Sequence, residues 1–195
     1  MKKLIFLVVL MGTFHLSAQE RADVGLAGSV LSMSSATNAN ITRSANISGG
    51  VLAAFRFWAT PRNGIEFNYA HASFKQTVAT GSLKTFLDSG MHEVSSSYLF
   101  RPRPFGKLQP FLGAGAALLQ FNPKTNGSLS PTPQSQNKPA LLYVAGVDYM
   151  LSRHFAAQIQ FRGLVFAAPS FINETLRSNT THNMSEPTFG FVYRF

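Results

Sequence analysis

An all-β fold, an eight-stranded antiparallel transmembrane β-barrel, is what this 195-residue sequence predicts. Three observations carry it. Segments in which apolar and polar residues alternate with period two recur along the chain. The connections between them are alternately short and long. The last segment, Phe189-Gly190-Phe191-Val192-Tyr193-Arg194-Phe195, sets a purely aromatic face (Phe189, Phe191, Tyr193, Phe195) against one carrying Gly190, Val192 and Arg194. Period two means a strand with two different faces. A continuous ring-bearing face is an aggregation hazard in water and is at home in lipid.

The first element is not part of the barrel. Met1-Lys2-Lys3 leads into the apolar run Leu4-Ile5-Phe6-Leu7-Val8-Val9-Leu10-Met11, and a short polar stretch follows, with Ala18 at a suitable cut. A basic start, a short apolar core and a small residue at the cut read as a secretory signal peptide. The run is too short for a membrane helix, which needs about 20 apolar residues. Residues 1–18 are therefore assigned as signal peptide and 19–195 as one barrel domain. The chain has no cysteine, which excludes lipoprotein processing, disulfides and cysteine-ligated zinc. Losing Lys2 and Lys3 lowers the formal charge from +9 to +7. A basic excess can signal nucleic acid. In an exported chain it points instead to anionic lipid head groups, and no nucleic-acid partner is expected.

The strands then follow in order. Residues 22–32 place Ala22, Val24, Leu26 and Val30 on one face. Residues 47–58 place Val51, Ala53, Phe55 and Phe57 opposite Arg56. In 65–74, Ile65, Phe67 and Tyr69 oppose Glu66 and Asn68. In 91–101, Val94, Tyr98 and Phe100 oppose Glu93, Ser95, Ser97 and Arg101. Residues 110–121 are rich in Gly and Ala, and their faces are not distinguishable. In 140–151, Leu141, Tyr143, Val147, Tyr149 and Leu151 oppose Gly146 and Asp148. In 155–166, Phe155, Ala157, Ile159, Phe161 and Val165 oppose Gln158, Gln160 and Arg162. The terminal strand is the eighth and closes against the first. Most of these segments are about 10 residues long, which a tilted strand needs to cross a bilayer.

Connections 59–64, 102–108 and 152–154 are short; 33–45, 75–89, 122–139 and 167–183 are long and rich in Ser, Thr, Asn and Pro. Short periplasmic turns and longer outer loops are the pattern of outer-membrane barrels, and both termini then face the periplasm. Asn-x-Ser/Thr triplets in these loops, such as Asn126-Gly127-Ser128 and Asn179-Thr180-Thr181, follow from composition and do not imply glycosylation.

A soluble eight-stranded barrel would turn its apolar face inward. Here the charged and amide residues share the minority face, so the expectation is a polar lumen within an apolar exterior. Arg56, Glu66, Glu93, Asp148, Arg162 and Arg194 form the expected interior network, since buried charges of mixed sign must pair. Arg56 and Glu66, facing each other across the first short turn, are the one pair that can be named. Eight strands leave an interior that side chains fill, so conduction is not the expected role.

Ala145-Gly146-Val147-Asp148-Tyr149, Leu151-Ser152-Arg153-His154-Phe155-Ala156 and Gln160-Phe161-Arg162 together resemble a hairpin of the outer-membrane β-barrel superfamily that includes the OmpA transmembrane domain, OmpX and OmpW. Pro110-Phe111-Leu112-Gly113-Ala114-Gly115-Ala116 resembles the strand before it. The aromatic ending resembles the C-terminal β-signal recognised by the barrel-assembly machinery, which assigns Phe189, Phe191, Tyr193 and Phe195 to assembly. The resemblance implies a Gram-negative outer-membrane protein. Its partners would be membrane lipids, lipopolysaccharide and the assembly machinery, and it would be a monomer without cofactor. The peptidoglycan-binding domain that follows the OmpA barrel is not carried over. Family functions span adhesion, envelope integrity and small-solute passage, and fold alone does not choose among them.

The expected role is structural or surface-interacting and non-catalytic. Arg43, Lys75, Lys84, Lys124, Lys138 and Arg177 of the outer loops are suited to lipopolysaccharide phosphates or another surface polyanion. The alternatives are a narrow small-solute channel and a lipopolysaccharide-modifying enzyme. For the latter, His71-Ala72-Ser73 has the spacing by which the lipid A deacylase PagL places His and Ser on the lipid face. His71 would be the base for Ser73, but no carboxylate partner is evident. His92 and Glu93 point to opposite faces, and no metal site is expected.

Overall fold

The computed structural model describes residues 22–33, 36–38, 41–45, 48–80, 83–124, 135–167 and 181–195. The segment read as a signal peptide, the two glycosylation-like triplets (save Thr181) and Arg177 lie outside the described residues. The strands are β1 (Ala22–Met33), β2 (Ala36–Asn38), β3 (Ile41–Ala45), β4 (Ser48–Trp58), β5 (Asn63–Thr80), β6 (Leu83–Phe100), β7 (Leu108–Lys124), β8 (Gln136–Met150), β9 (Phe155–Ala167) and β10 (Thr181–Arg194). All pairings are antiparallel. Apart from β2 and β3, the strands follow one another around a closed ring, and β10 returns to β1. Closure runs from Asp23↔Arg194 to Met33↔Met184, and the Phe195 N–H extends it by donating to Ala22 O at 3.0 Å. A closed ring leaves no unpaired edge, the condition a sheet must meet in hydrocarbon.

The alternation resolves into two surfaces. Leu26, Val51, Phe67, Val94, Leu141, Ile159, Phe189 and Phe191 are exposed on the outside. Phe55, Phe57, Tyr98, Phe100, Tyr149, Phe155, Tyr193 and Phe195 are exposed toward the end that bears the short turns, where aromatic rings sit at a membrane interface. Two of these turns are closed in the same way. Thr60 Oγ1 accepts from Asn63 N at 3.0 Å, and Ser152 Oγ accepts from Phe155 N at 3.1 Å. In the third, Gly106 has φ +60°, which a glycine adopts without the cost a side chain incurs.

Two expectations need correction. First, much of the supposed loop 75–89 is strand: β5 and β6 stay paired from Asn63↔Phe100 to Thr80↔Leu83. The loop 33–45 contains β2 and β3, and β3 pairs with the outer part of β5, from Ile41↔Thr80 to Ala45↔Gln76. These stretches are too polar to read as membrane strands, but backbone pairing in water does not require an apolar face. Second, the lumen is only partly polar. Leu31, Met91, Leu119, Phe121, Leu164, Phe166 and Met184 are buried inside its outer half. The polar residues mark the inward face correctly, but the alternation that points them inward also points these apolar ones inward.

The Gly/Ala-rich strand β7 now has defined faces. Phe111, Ala117, Leu119 and Phe121 are buried inside, and Leu112 and Leu118 are exposed. Gly113 and Gly115 alternate with them on the inner side. A Cβ at Gly115 would stand 2.0 Å from Ser96 O, and one at Gly113 would stand 2.4 Å from Tyr98 O. Their missing side chains let β6 and β7 approach closely.

Candidate functional site

The lumen is built in layers, and each of the six expected network residues is buried in it. Arg56 and Glu66 are direct partners across β4 and β5, with Arg56 Nε donating to Glu66 Oε2 at 2.5 Å. Across the lumen, the same guanidinium reaches Asp148 at 3.2 Å. Its flat face lies 4.3 Å from the centre of the Phe111 ring. Gly146, paired with Phe111, leaves room for that ring: a Cβ there would lie 2.5 Å from Phe111 Cζ.

One layer outward, Arg162 is held between Glu93 and Glu186. It meets Glu186 directly across β9 and β10 and Glu93 across the lumen, and donates to Ser95 Oγ at 3.0 Å. Arg162, Glu93 and Glu186 are all 0% exposed. Such a triad is tolerable in a low-dielectric interior only because every charge has an opposite partner. Above it lies the apolar layer. Leu119, Phe121 and Met184 are 0% exposed, with the rings of Phe121 and Phe166 5.9 Å apart. These two layers of side chains pack the lumen at their depth.

At the end that bears the short turns, Arg194 Nε donates to Asp23 Oδ1 at 3.2 Å, and Trp58 Nε1 donates to Asp23 Oδ2 at 2.8 Å. Sequence reasoning passed over Asp23 and Trp58 as members of the network, whereas Glu186 is among the charged residues it put on the inward face. The signal was available for Asp23: Ala22 and Val24 face outward, so the residue between them faces the lumen. For Glu186, the same follows from its two-residue steps to Thr188 and Gly190.

The structure places His71 opposite His92 on β5 and β6, with ring centres 4.5 Å apart. Tyr69 Oη and His92 Nδ1 are 2.8 Å apart. His71 Nδ1 is buried without a hydrogen-bond partner, and Ser73 is exposed. The five acids with described side chains (Asp23, Glu66, Glu93, Asp148, Glu186) all lie in the lumen, so none stands beside His71. The basic residues of the outer end divide by placement. Lys75, Lys84, Lys124 and Arg43 are on the paired outer parts of β5, β6, β7 and β3, and Lys138 is on β8.

A model of the outer membrane protein beta-barrel domain matches residues 5–195. The chain belongs to that family. Among solved structures, this family member is similar to the outer membrane protein OprG from Pseudomonas aeruginosa, with TM-score 0.66 and 15% identity, over 90% of this chain and 96% of that one. It is also similar to Neisserial surface protein A, with TM-score 0.64 and 14% identity over 89% and 97%. Ail, the attachment invasion locus protein of Yersinia pestis, in complex with the heparin analogue sucrose octasulfate, matches with TM-score 0.56 and 13% identity over 91% and 100%. At these identities the likeness is one of fold. No curated protein matches. The protein is thus an outer-membrane β-barrel protein.

Proposed function

We propose that this barrel is a non-conducting, non-catalytic, monomeric scaffold. Its outer strands and loops present a basic surface to an extended polyanion, either lipopolysaccharide or a sulfated surface polysaccharide. The two layers of 0%-exposed side chains support this reading, because a channel needs a continuous aqueous path and buried side chains at that depth take up the space for one. The role then falls to the outer end. There, strand pairing projects β5 and β6 to Thr80↔Leu83 and braces them with β3. In the backbone register, Lys75 and Lys124 stand opposite Asp88 on the two sides of β6, and Lys84 is near the tip. Ail, of the same fold, is described with a sulfated sugar analogue, and that complex suggests the ligand class. The deacylase reading lacks support from His71, which lies against the His92 ring with none of the described carboxylates beside it.

Cells carrying the protein are expected to retain a sulfated polysaccharide in a salt-dependent manner, because exposed charge pairs are screened beyond about 8–10 Å at moderate salt. The combined variant Lys75→Glu, Lys84→Glu, Lys124→Glu should weaken retention about tenfold or more, equivalent to about 1.4 kcal/mol. Retention that is equal in the variant, or indifferent to salt, would contradict the proposal.

The signal peptide 1–18 and the terminal strand serve export and assembly in this reading. Deleting Phe195 is expected to lower the amount of heat-modifiable protein in the outer membrane more than Phe195→Tyr does. Equal amounts of all three forms would show that the terminal ring is not read.

A further inference from the structure

The periplasmic mouth holds a cleft of about 810 Å³ whose lining includes Trp58, Arg62, Arg101, Arg103, Gln109 and Arg194 and contains no acid. This volume is within the usual range for small-molecule sites, about 300–1,000 Å³. Its arginines come from three places in the chain. Arg62 lies in the turn after β4. Arg101 and Arg103 lie in the Arg101-Pro102-Arg103-Pro104 segment after β6, where the prolines fix the backbone. Arg194 ends β10.

Two of the four are built into the floor. Arg101 is 9% exposed and Arg194 6%. Arg101 lies over the Trp58 ring, 3.7 Å from its centre. The carboxylates behind them are shared. Asp148 serves Arg56 at 3.2 Å, Arg101 at 3.5 Å and Arg194 at 3.9 Å. Asp23 serves Arg194 at 3.2 Å and Arg101 at 3.8 Å, and Glu66 is taken by Arg56. Arg56, Arg101 and Arg194 thus share the three carboxylates Asp23, Glu66 and Asp148 in balance, and the exposed Arg62 and Arg103 add two positive charges at the rim. Arg101 Nε and Arg194 Nη2 are buried without a hydrogen-bond partner. Burial first, and then the positive charge of Arg194, lower the Arg101 guanidinium to about 10. It stays charged at neutral pH, in a place that favours an added anion.

We infer that this cleft is a binding site for a small soluble dianion of the phosphate-monoester type, entering from the periplasm. The guanidinium fork matches two phosphoryl oxygens at once, and the charge of a dianion offsets the two positive charges at the rim. Arg62 and Arg103 stand exposed at the rim and would close on the anion from outside. Arg101 and Arg194 supply the fixed positive floor.

The test uses the full mature chain refolded in a sugar-headgroup detergent free of phosphate, titrated calorimetrically with inorganic phosphate and then pyrophosphate. Saturable binding with a Kd below about 1 mM is expected. The Arg62→Gln/Arg103→Gln variant, whose changes lie outside the buried network, should bind at least about tenfold more weakly. Asn137→Ala, exposed on β8 at the opposite end, should bind as the wild type does. The inference is overturned by no heat of binding up to about 10 mM phosphate, or by equal affinities in wild type and the rim variant. The phospholipid arm uses the same protein extracted from phosphatidylglycerol vesicles. Lipid phosphorus that stays with the wild type and blocks phosphate binding, but is lost from the rim variant, would assign the site to a head group and overturn the soluble-anion assignment.

Discussion

Replacing Arg162 with methionine is expected to destabilise the folded barrel by about 3–5 kcal/mol, the usual cost of removing one member of a buried charge cluster. Methionine approximates the length of the arginine stem, so packing changes little. What is lost is the charge between Glu93 and Glu186, both 0% exposed, which would face each other with no cation between them. Denaturant unfolding in detergent can follow this through Trp58, the single tryptophan, whose indole N–H is bonded to Asp23. The triple variant Arg162→Met, Glu93→Gln, Glu186→Gln should recover most of the loss, because it removes the stranded charges along with their partner. A loss below about 1 kcal/mol in the single variant would mean the triad is hydrated or unpaired. A triple variant no better than the single one would mean that the arginine acts through packing.

The second large effect is expected at Gly115. Alanine there would place its Cβ 2.0 Å from Ser96 O and 2.6 Å from Ser97 Cα. Both are backbone atoms of the neighbouring strand β6, so no side-chain rotation relieves the clash. β6 and β7 would have to separate, breaking ladder hydrogen bonds in a ring that has no edge to absorb the shift. Gly115→Ala should therefore abolish, or reduce by about tenfold or more, the heat-modifiable folded form, a loss above about 1.4 kcal/mol. Gly49→Ala, where a Cβ meets nothing within 4 Å, should assemble as the wild type does. Equal assembly of the two alanine variants would show that β6 and β7 are farther apart than described.

How much of this was legible in the sequence depended on contrast between neighbouring residues. In β9, Gln158, Gln160 and Arg162 alternate with Ile159 and Phe161, and their inward direction follows from chemistry alone. In β7, Gly113, Ala114, Gly115 and Ala116 offer no contrast, and only the structure shows that the glycines face in. The pair Arg56–Glu66 could be named because a short turn fixes its register. Asp148 and Arg162 could not be paired, since Arg56 reaches Asp148 and Arg162 reaches Glu93 across the lumen. Those contacts depend on the stagger of the closed ring. The apolar outer half of the lumen was hidden for a different reason. Leu164 and Phe166 lie on the same face as Arg162, but an apolar residue in a membrane strand is first read as facing lipid. The periplasmic cleft was illegible because Arg62, Arg101, Arg103 and Arg194 meet only through closure of β10 on β1 and the fold of two turns.

The most direct measurement of the central claim is the conductance of the refolded mature barrel in a planar lipid bilayer. The filled lumen predicts no unit conductance steps in simple salt, at protein levels where an open porin of equal purity gives many. Reproducible steps of one size, from protein shown by heat modifiability to be folded, would contradict the account. They would mean that the layer of Arg162, Glu93 and Glu186 and the apolar layer above it do not seal the barrel.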